Sequence, residues 1–186
     1  MHISHKAQSD LPHPRTVILG CGNTLLGDDG FGPAVITRLE EIGLPQAVQA
    51  TDVGTSIREQ LIDYLMAPQL RPQVLVVVDA AYRDGIPAGS VWCCRPQELP
   101  ACKAHDFSLH QFPTVNLLAE LEAEAGMQVA LVLAQATTLP QAIAPGLSPA
   151  MVQAVEQACA LILQRLGEDV INFSSSGVCA AAEGVS

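Results

Sequence analysis

The sequence lacks several features that would assign it to a common class of protein. Its 186 residues include six cysteines but no Cys-x-x-Cys pair, which excludes a zinc ribbon and a thioredoxin-like centre. No apolar run approaches the roughly 20 residues needed to span a bilayer, and the first 15 residues contain no apolar segment of the secretory type. These absences predict a cytoplasmic protein with no membrane segment.

Basic residues are also scarce. Lys and Arg number 9 against 19 Asp and Glu, so the formal net charge is −10. A chain of this charge repels nucleic acid and anionic lipid, and neither is an expected partner. Hydrophobic residues make up 49% of the chain, enough for one domain with its own core. We expect that domain at 16–167, between a flexible leader at 1–15 and a C-terminal tail at 168–186.

Signatures of nucleotide binding and of a serine nucleophile are missing as well. The chain has neither a Gly-Lys-Ser/Thr phosphate loop nor a Gly-x-Ser-x-Gly elbow. A dinucleotide fingerprint starting at Gly20 would need a third glycine at position 25, where the sequence has Leu25. The helix would then meet the strand poorly, and two adjacent acids, Asp28 and Asp29, would face the pyrophosphate. A dinucleotide-binding enzyme domain is therefore a disfavoured alternative.

What the sequence does contain is an alternation of strand and helix patterns. Apolar runs predict strands at 16–20, 47–51, 74–78, 90–94 (an edge strand) and 129–133. Helical spacing and capping signals predict helices at 31–42, 56–66, 111–124 and 148–166. This order predicts an α/β three-layer sandwich, with a mainly parallel twisted sheet of about five strands and helices on both faces.

Polar groups follow the predicted strands. Asp28 and Asp29 come after the first strand, Asp52 after the second and Asp79 after the third, while His110 precedes the third helix. Because the carboxyl ends of parallel strands meet at one edge of a sheet, we expect these side chains to converge there.

Two interpretations of this group remain open from spacing alone. In the first, Asp29, Asp79 and His110 bind a borderline divalent metal ion, for which two carboxylates and one imidazole are suitable ligands. Asp28 then caps the first helix or faces solvent. In the second interpretation the same groups are structural: Asp28 caps the helix, Asp79 accepts hydrogen bonds from local backbone amides, and His110 is a surface cap.

The cysteines and the leader histidines offer weaker candidates. Cys21 lies at a helix N-terminus, where a thiolate nucleophile is favoured, but it also suits a small buried side chain between two glycines. We expect the cysteines to be reduced and to pack as small apolar residues. His2, His5 and His13 are expected to be solvated. No organic cofactor is predicted.

Several motifs together resemble the maturation proteases of [NiFe]-hydrogenases. They span about residues 16–167 and are Gly20-Cys-Gly-Asn23, Asp28-Asp-Gly30 with Gly32, Asp52-x-Gly-Thr55, Val76-Val-Val-Asp-Ala80, His110-Gln111 and Gly146-Leu-Ser-Pro149. Residues 134–139 depart from the turn that this family has after its last strand. The resemblance implies a cytoplasmic, aspartyl-type endopeptidase whose partner is a hydrogenase large-subunit precursor, from which it removes the C-terminal extension.

The resemblance also implies roles for individual residues. Asp29, Asp79 and His110 would recognise nickel held in the precursor, so that only metal-loaded substrate is cut. Asp52, together with Asp29, would be catalytic and would orient or deprotonate water; in an equally open version the metal is a recognition element only. The wording of residues 28–33 most resembles members that serve soluble cofactor-reducing hydrogenases, including NAD-reducing ones. A non-catalytic chaperone that checks nickel insertion is the alternative function.

Overall fold

Strands and helices alternate through residues 14–99, 112–138 and 142–167, which are the residues described by the computed structural model. The strands are β1 (Thr16–Cys21), β2 (Val48–Gly54), β3 (Val74–Ala81), β4 (Val91–Cys94) and β5 (Gln128–Gln135). The helices are α1 (Phe31–Ile42), α2 (Ile57–Met66), α3 (Phe112–Ala123) and α4 (Pro149–Leu166), with short 3-10 turns between some elements.

The five strands form one sheet in the order β2-β1-β3-β5-β4. All neighbouring pairs are parallel except β4 and β5, which are antiparallel. The predicted α/β class, the mainly parallel sheet and the edge position of β4 are confirmed. None of the helices in the described ranges is long and apolar enough to cross a membrane.

The sheet separates two hydrophobic cores, because successive residues of each strand point to opposite faces. One core lies between the sheet and helices α1 and α4, and the other between the sheet and helices α2 and α3. Cys93 belongs to the first core and Cys94 to the second. The three layers predicted from the sequence are therefore present, with helices on both faces.

Helix α1 approaches the sheet closely through two glycines. A Cβ atom at Gly20 would overlap the Ile36 side chain, and one at Gly32 would overlap the backbone of Cys21. The expectation that the helix would meet the strand poorly without a glycine at position 25 is wrong, because Gly32 takes that packing role from within the helix. This close contact brings the N-terminus of α1 to the end of β1.

Two strands run further than the sequence pattern indicates. β2 continues to Gly54 and β3 to Ala81, so Asp52 and Asp79 lie inside their strands and do not follow them. For β3 the reason is the neighbouring strand: β5 pairs with it up to Ala81, including Asp79 opposite Leu133. Both carboxylates still lie near the carboxyl ends of their strands.

The helix starts were predicted with mixed success. Ser148 caps α4 as expected, since its hydroxyl accepts a hydrogen bond from the Met151 N–H at 3.4 Å. Ser56 precedes α2, but its side chain makes no capping hydrogen bond. The capping signal that predicted a helix start at Ser56 is therefore wrong, although the helix is present. The leader up to residue 13, His110 and the tail at 168–186 lie outside the described residues.

Candidate functional site

The candidate site lies where the direction of chain winding reverses. The chain passes from β1 to β2 on one side and then to β3 on the other side of β1. In a doubly wound sheet such a reversal opens a crevice beyond the carboxyl ends of the two central strands, where ligands bind. The loop after β1 and the end of β3, which carry Asp29 and Asp79, border this crevice.

Asp29 is held at the crevice by the loop before it. Its carboxylate oxygen Oδ2 accepts a hydrogen bond from the Asn23 backbone N–H at 2.7 Å, and its side chain is buried. Gly22 has a φ of 130°, and a Cβ atom there would overlap the carbonyl oxygen of Asp29. Only glycine fits these two conditions easily, so Gly22 lets the loop fold back against Asp29.

Asp79 is fully buried, with an exposed fraction of 0%. Its oxygen Oδ1 accepts a hydrogen bond from the Ala80 N–H at 2.8 Å, as the structural interpretation predicted. The turn at 27–30 contacts β3, which brings the two buried acids into the same region. Burying a carboxylate is unfavourable in the charged form unless donors or a cation compensate it, and the N–H groups of Asn23 and Ala80 are such donors.

Asp52 differs from these two acids because its side chain is exposed. It pairs with Gly20 of β1 in the sheet, and its Oδ1 accepts a hydrogen bond from the Gly54 N–H at 2.8 Å. A bulge between Gly20 and Cys21 shifts the register just beyond this pair. The Gly54 N–H at the end of β2 thus orients the Asp52 carboxylate, which is exposed to solvent.

Cys21 is a buried thiol whose pKa is affected by all three acids. Burial raises the pKa of its thiol well above the usual value, and the negative charges of Asp79, Asp52 and Asp29 raise it further, in that order. Three acids predicted from distant parts of the sequence therefore all act on one buried sulfur atom. The same pKa shift keeps the thiol protonated, which disfavours Cys21 as a nucleophile and favours the small buried side chain.

Asp28 has a different role from the helix cap expected for it. Its Oδ1 accepts a hydrogen bond from the Ser148 N–H at 2.7 Å, and its Oδ2 accepts from the Thr137 N–H at 2.8 Å and the Ser148 hydroxyl at 3.1 Å. No side chain caps α1 or the turn before it. The prediction that Asp28 caps α1 is wrong, because its carboxylate instead binds donors of two distant residues, Thr137 and Ser148.

The rim segment, residues 142–148 before α4, contacts the loop after β1 in a way that the local sequence pattern did not indicate. Leu26 and Ala144 form an isolated parallel bridge, and the Ala144 N–H donates to the Leu25 carbonyl at 2.9 Å. Leu25 and Ile143 expose 51% and 73% of their surface beside this bridge. The rim is assembled only by tertiary contacts, and the only sequence signal was the departure at 134–139 from the family's turn.

The metal-ligand prediction is only partly covered by the described residues. Within 14–99, 112–138 and 142–167, no group of three or more His, Cys, Asp and Glu side chains could hold a metal ion. Asp29 and Asp79 supply two hard oxygen donors, and the third predicted ligand, His110, lies outside those ranges. Carboxylate oxygens of this kind are suitable donors to a divalent metal ion.

The remaining described cysteines agree with the structural expectation. Cys21, Cys93, Cys94 and Cys159 are buried and free of disulfides. Burial raises the pKa of the Cys93 thiol to about 12 and those of Cys94 and Cys159 to about 11. These thiols are therefore neutral and pack as small apolar groups.

Fold and site together define a doubly wound α/β protein with buried acids at its switch point. The family model of the hydrogenase maturation proteases matches residues 33–165. The chain belongs to this family, as its motifs predicted, and it is a peptidase.

Individual relatives agree with that assignment. A Methanocaldococcus jannaschii protein assigned by name to the hydrogenase maturation proteases is 36% identical over 149 residues, which cover 79% of this chain and 93% of that protein. The delta subunit of coenzyme F420 hydrogenase from Methanothermobacter thermautotrophicus is 29% identical over 81% of this chain and 94% of its own length. The structure of the hydrogenase maturating endopeptidase HybD from E. coli superposes with a TM-score of 0.65 and 29% identity, covering 82% of this chain and 91% of that one.

Proposed function

We propose that this protein is a nickel-dependent endopeptidase that removes the C-terminal extension from a [NiFe]-hydrogenase large-subunit precursor. The observation that carries the proposal is the position of Asp29, Asp52 and Asp79, which lie after β1 and near the carboxyl ends of β2 and β3 at the switch point of a maturation protease. In this scheme nickel is part of the substrate, because the precursor is cleaved only after nickel has been inserted into it.

The two buried acids are the recognition groups. Asp29 and Asp79, with His110 as the third ligand, would contact the nickel ion carried by the precursor. Their burial supports this role, because a carboxylate in a poorly solvated place attracts a cation more strongly than an exposed one does. Nickel-free precursor brings no such charge, so its binding is expected to be weaker.

Asp52 is the proposed general base, and Asp29 is the second proposed catalytic residue. The exposed carboxylate of Asp52 can accept a proton from a water molecule that attacks the scissile carbonyl, and the proton then goes to the leaving amine. Nickel would supply Lewis-acid polarisation of that carbonyl. The exposed side chain of Asp52 supports access by water.

The test uses purified protein with nickel-loaded and nickel-free precursor, followed by the intact mass of the precursor. Loss of a C-terminal peptide from the loaded sample alone is the expected result. Binding without any mass loss would support the nickel-checking chaperone, and cleavage of both samples would contradict nickel recognition.

Single substitutions separate the proposed roles. Asp52→Asn is expected to lower the rate of cleavage at saturating loaded precursor by about 100-fold or more, the usual effect of losing a general base. Asp29→Asn and Asp79→Asn are expected to reduce discrimination between loaded and nickel-free precursor. Asp63→Asn, an exposed acid on α2, is the matched control and should cleave like the unchanged protein. Undiminished cleavage by Asp52→Asn would rule out the base role.

The wording of residues 28–33 supports a cofactor-reducing hydrogenase as the source of the precursor, and one relative is named as a coenzyme F420 hydrogenase subunit. We place the reaction in the cytoplasm, where such a precursor would be assembled. Offering the enzyme nickel-loaded precursors of a cofactor-reducing and of a membrane-bound hydrogenase tests this choice. Equal cleavage of both would contradict it.

A further inference from the structure

Among the described residues, no strand pairs with the outer edge of β2, which lies next to the candidate site. β2 is a terminal strand, and β1 is its neighbour in the sheet that the described residues form. Its sequence, Val48-Gln-Ala-Thr-Asp-Val-Gly54, has no lysine or proline, the residues by which natural edge strands are commonly protected from pairing. An edge of this kind can accept another extended strand.

The register shows which backbone groups face outward. Thr16 pairs with Val48, and the Thr16 N–H donates to the Ala47 carbonyl at 3.1 Å. In a parallel pair, alternate residues of a strand direct both backbone groups to the partner, so residues 47, 49, 51 and 53 face β1. Val48 confirms this alternation, since its N–H donates to the Pro45 carbonyl at 2.9 Å.

Besides the Val48 N–H, which bonds to Pro45, five backbone groups are consequently directed away from β1. They are the carbonyl of Val48 and both the N–H and the carbonyl of Ala50 and of Asp52. Asp52 is the last of these positions and also one of the three acids that act on Cys21. The open edge is thus continuous with the candidate site.

We propose that the C-terminal extension of the precursor adds to β2 as a sixth, antiparallel strand. This inference rests on the proposed function. The scissile bond must lie at the carboxyl edge of the sheet, beside Asp52, and the extension leaves that bond in the C-terminal direction. A chain that starts at Asp52 and follows the edge runs toward Val48, which is antiparallel to β2.

The proposed contacts explain recognition of a segment by its extended shape. Backbone hydrogen bonds to Ala50 and Asp52 require an extended chain but few particular side chains. They also fix the register of the extension, and thereby position the scissile carbonyl relative to the Asp52 carboxylate. The β2 edge would contribute to KM and to the choice of the bond that is cut.

The decisive variant is Ala50→Pro. Proline removes the outward N–H and places its ring on the open edge, while the groups that pair with β1 belong to residues 49 and 51 and are unchanged. We expect KM for nickel-loaded precursor to rise about tenfold or more, since one hydrogen bond is lost and its neighbour is blocked, with kcat within about twofold. Ala50→Ser, which retains the N–H, is the matched control and should retain the original KM. A melting curve for each variant checks that the fold is intact.

A second measurement does not depend on a variant that folds. A synthetic peptide with the sequence of the extension is tested as a competitive inhibitor of the unchanged enzyme, with N-methyl groups introduced one position at a time. Strand addition predicts that inhibition is lost at alternate positions, because successive N–H groups of an added strand point to opposite sides. Equal loss at every position, or none at any, would overturn the proposal.

The results distinguish failure of this inference from failure of the proposed function. If the unchanged enzyme leaves loaded precursor intact, the function fails and the strand proposal fails with it. If it cleaves and Ala50→Pro has the same KM, only strand addition is refuted. Loss of a dimer in Ala50→Pro by light scattering, with cleavage unaffected, would assign the edge to a second copy of the chain and would also refute it.

Discussion

The carboxylate of Asp28 accepts hydrogen bonds from both the backbone N–H and the hydroxyl of Ser148, at 2.7 and 3.1 Å, although 120 residues separate them. The Thr137 N–H donates to the same carboxylate at 2.8 Å. One buried acid therefore connects the loop after β1 to Thr137, just past β5, and to Ser148, at the start of α4. Its neighbour in sequence, Asp29, lies at the crevice on the loop held by this contact.

Replacing Asp28 by asparagine should destabilise the protein. The asparagine Nδ2 group is a donor, so it would face a backbone N–H that has lost its acceptor, and we expect a loss of about 1–3 kcal/mol in the free energy of unfolding. Urea unfolding followed by circular dichroism measures it, with Asp63→Asn as the exposed control. A change below about 0.5 kcal/mol, typical of surface substitutions, would show that the contact contributes little.

Gly22→Ala should disturb Asp29 specifically. The added Cβ would overlap the Asp29 carbonyl oxygen, so the loop must move, and we expect precursor cleavage to fall at least about tenfold, in line with the cost of misplaced catalytic geometry. Gly43→Ala is the matched control, because Gly43 also has a positive φ, 90°, but a Cβ there meets nothing within 4 Å. Equal loss of cleavage in both variants would attribute the effect to backbone strain alone.

Cys21→Ala should retain cleavage. The raised thiol pKa and complete burial leave Cys21 protonated and inaccessible, so its removal costs packing and not chemistry. We expect kcat within about threefold of the original value, a barrier change well below 1.4 kcal/mol. A loss of about 1000-fold or more with an intact melting transition would instead assign the sulfur a covalent role.

Alkaline pH should weaken the fold through its buried thiols. The pKa of Cys159 is raised from 9.0 to about 11 in the folded state, so above pH 9 the unfolded chain ionises while the folded chain stays neutral. Stability from this group is complete below pH 9 and is lost as the pH rises towards 11, by about 1.4 kcal/mol per pH unit.

Comparison of the unchanged protein with Cys159→Ala isolates that contribution. The difference in their unfolding free energies, measured in urea at several values from pH 8 to 10.5, should shrink as the pH rises. A constant difference across this range would mean that the Cys159 thiol titrates equally in both states.

Much of the fold could be predicted from local patterns. Helix α1 has the predicted bounds because its apolar spacing and the glycine after Ile42 both act within a few residues. The start of α4 was predictable for the same reason, as Ser148 and Pro149 satisfy the first helical turn by themselves. Burial of whole apolar runs identified β1, β3 and β5.

Errors occurred where distant segments compete for the same group. Asp28 was expected to cap a helix beside it, but two backbone donors from beyond β5 bind it. β3 was expected to end before Asp79, but pairing with β5 extends it. A local pattern contains no information about a partner that is 50 or more residues away, so such contacts had to be observed.

The sequence by itself determined the class of fold, the family and the set of acids, because strand and helix periodicity and short motifs are local properties. Only the tertiary structure decided which acids raise the pKa of Cys21, which acid binds Thr137 and Ser148, and which edge of the sheet, as far as the described residues form it, has no paired strand beside Asp52. The physical reason is that strand order, register and burial depend on packing between distant segments, and these settle the environment of each carboxylate.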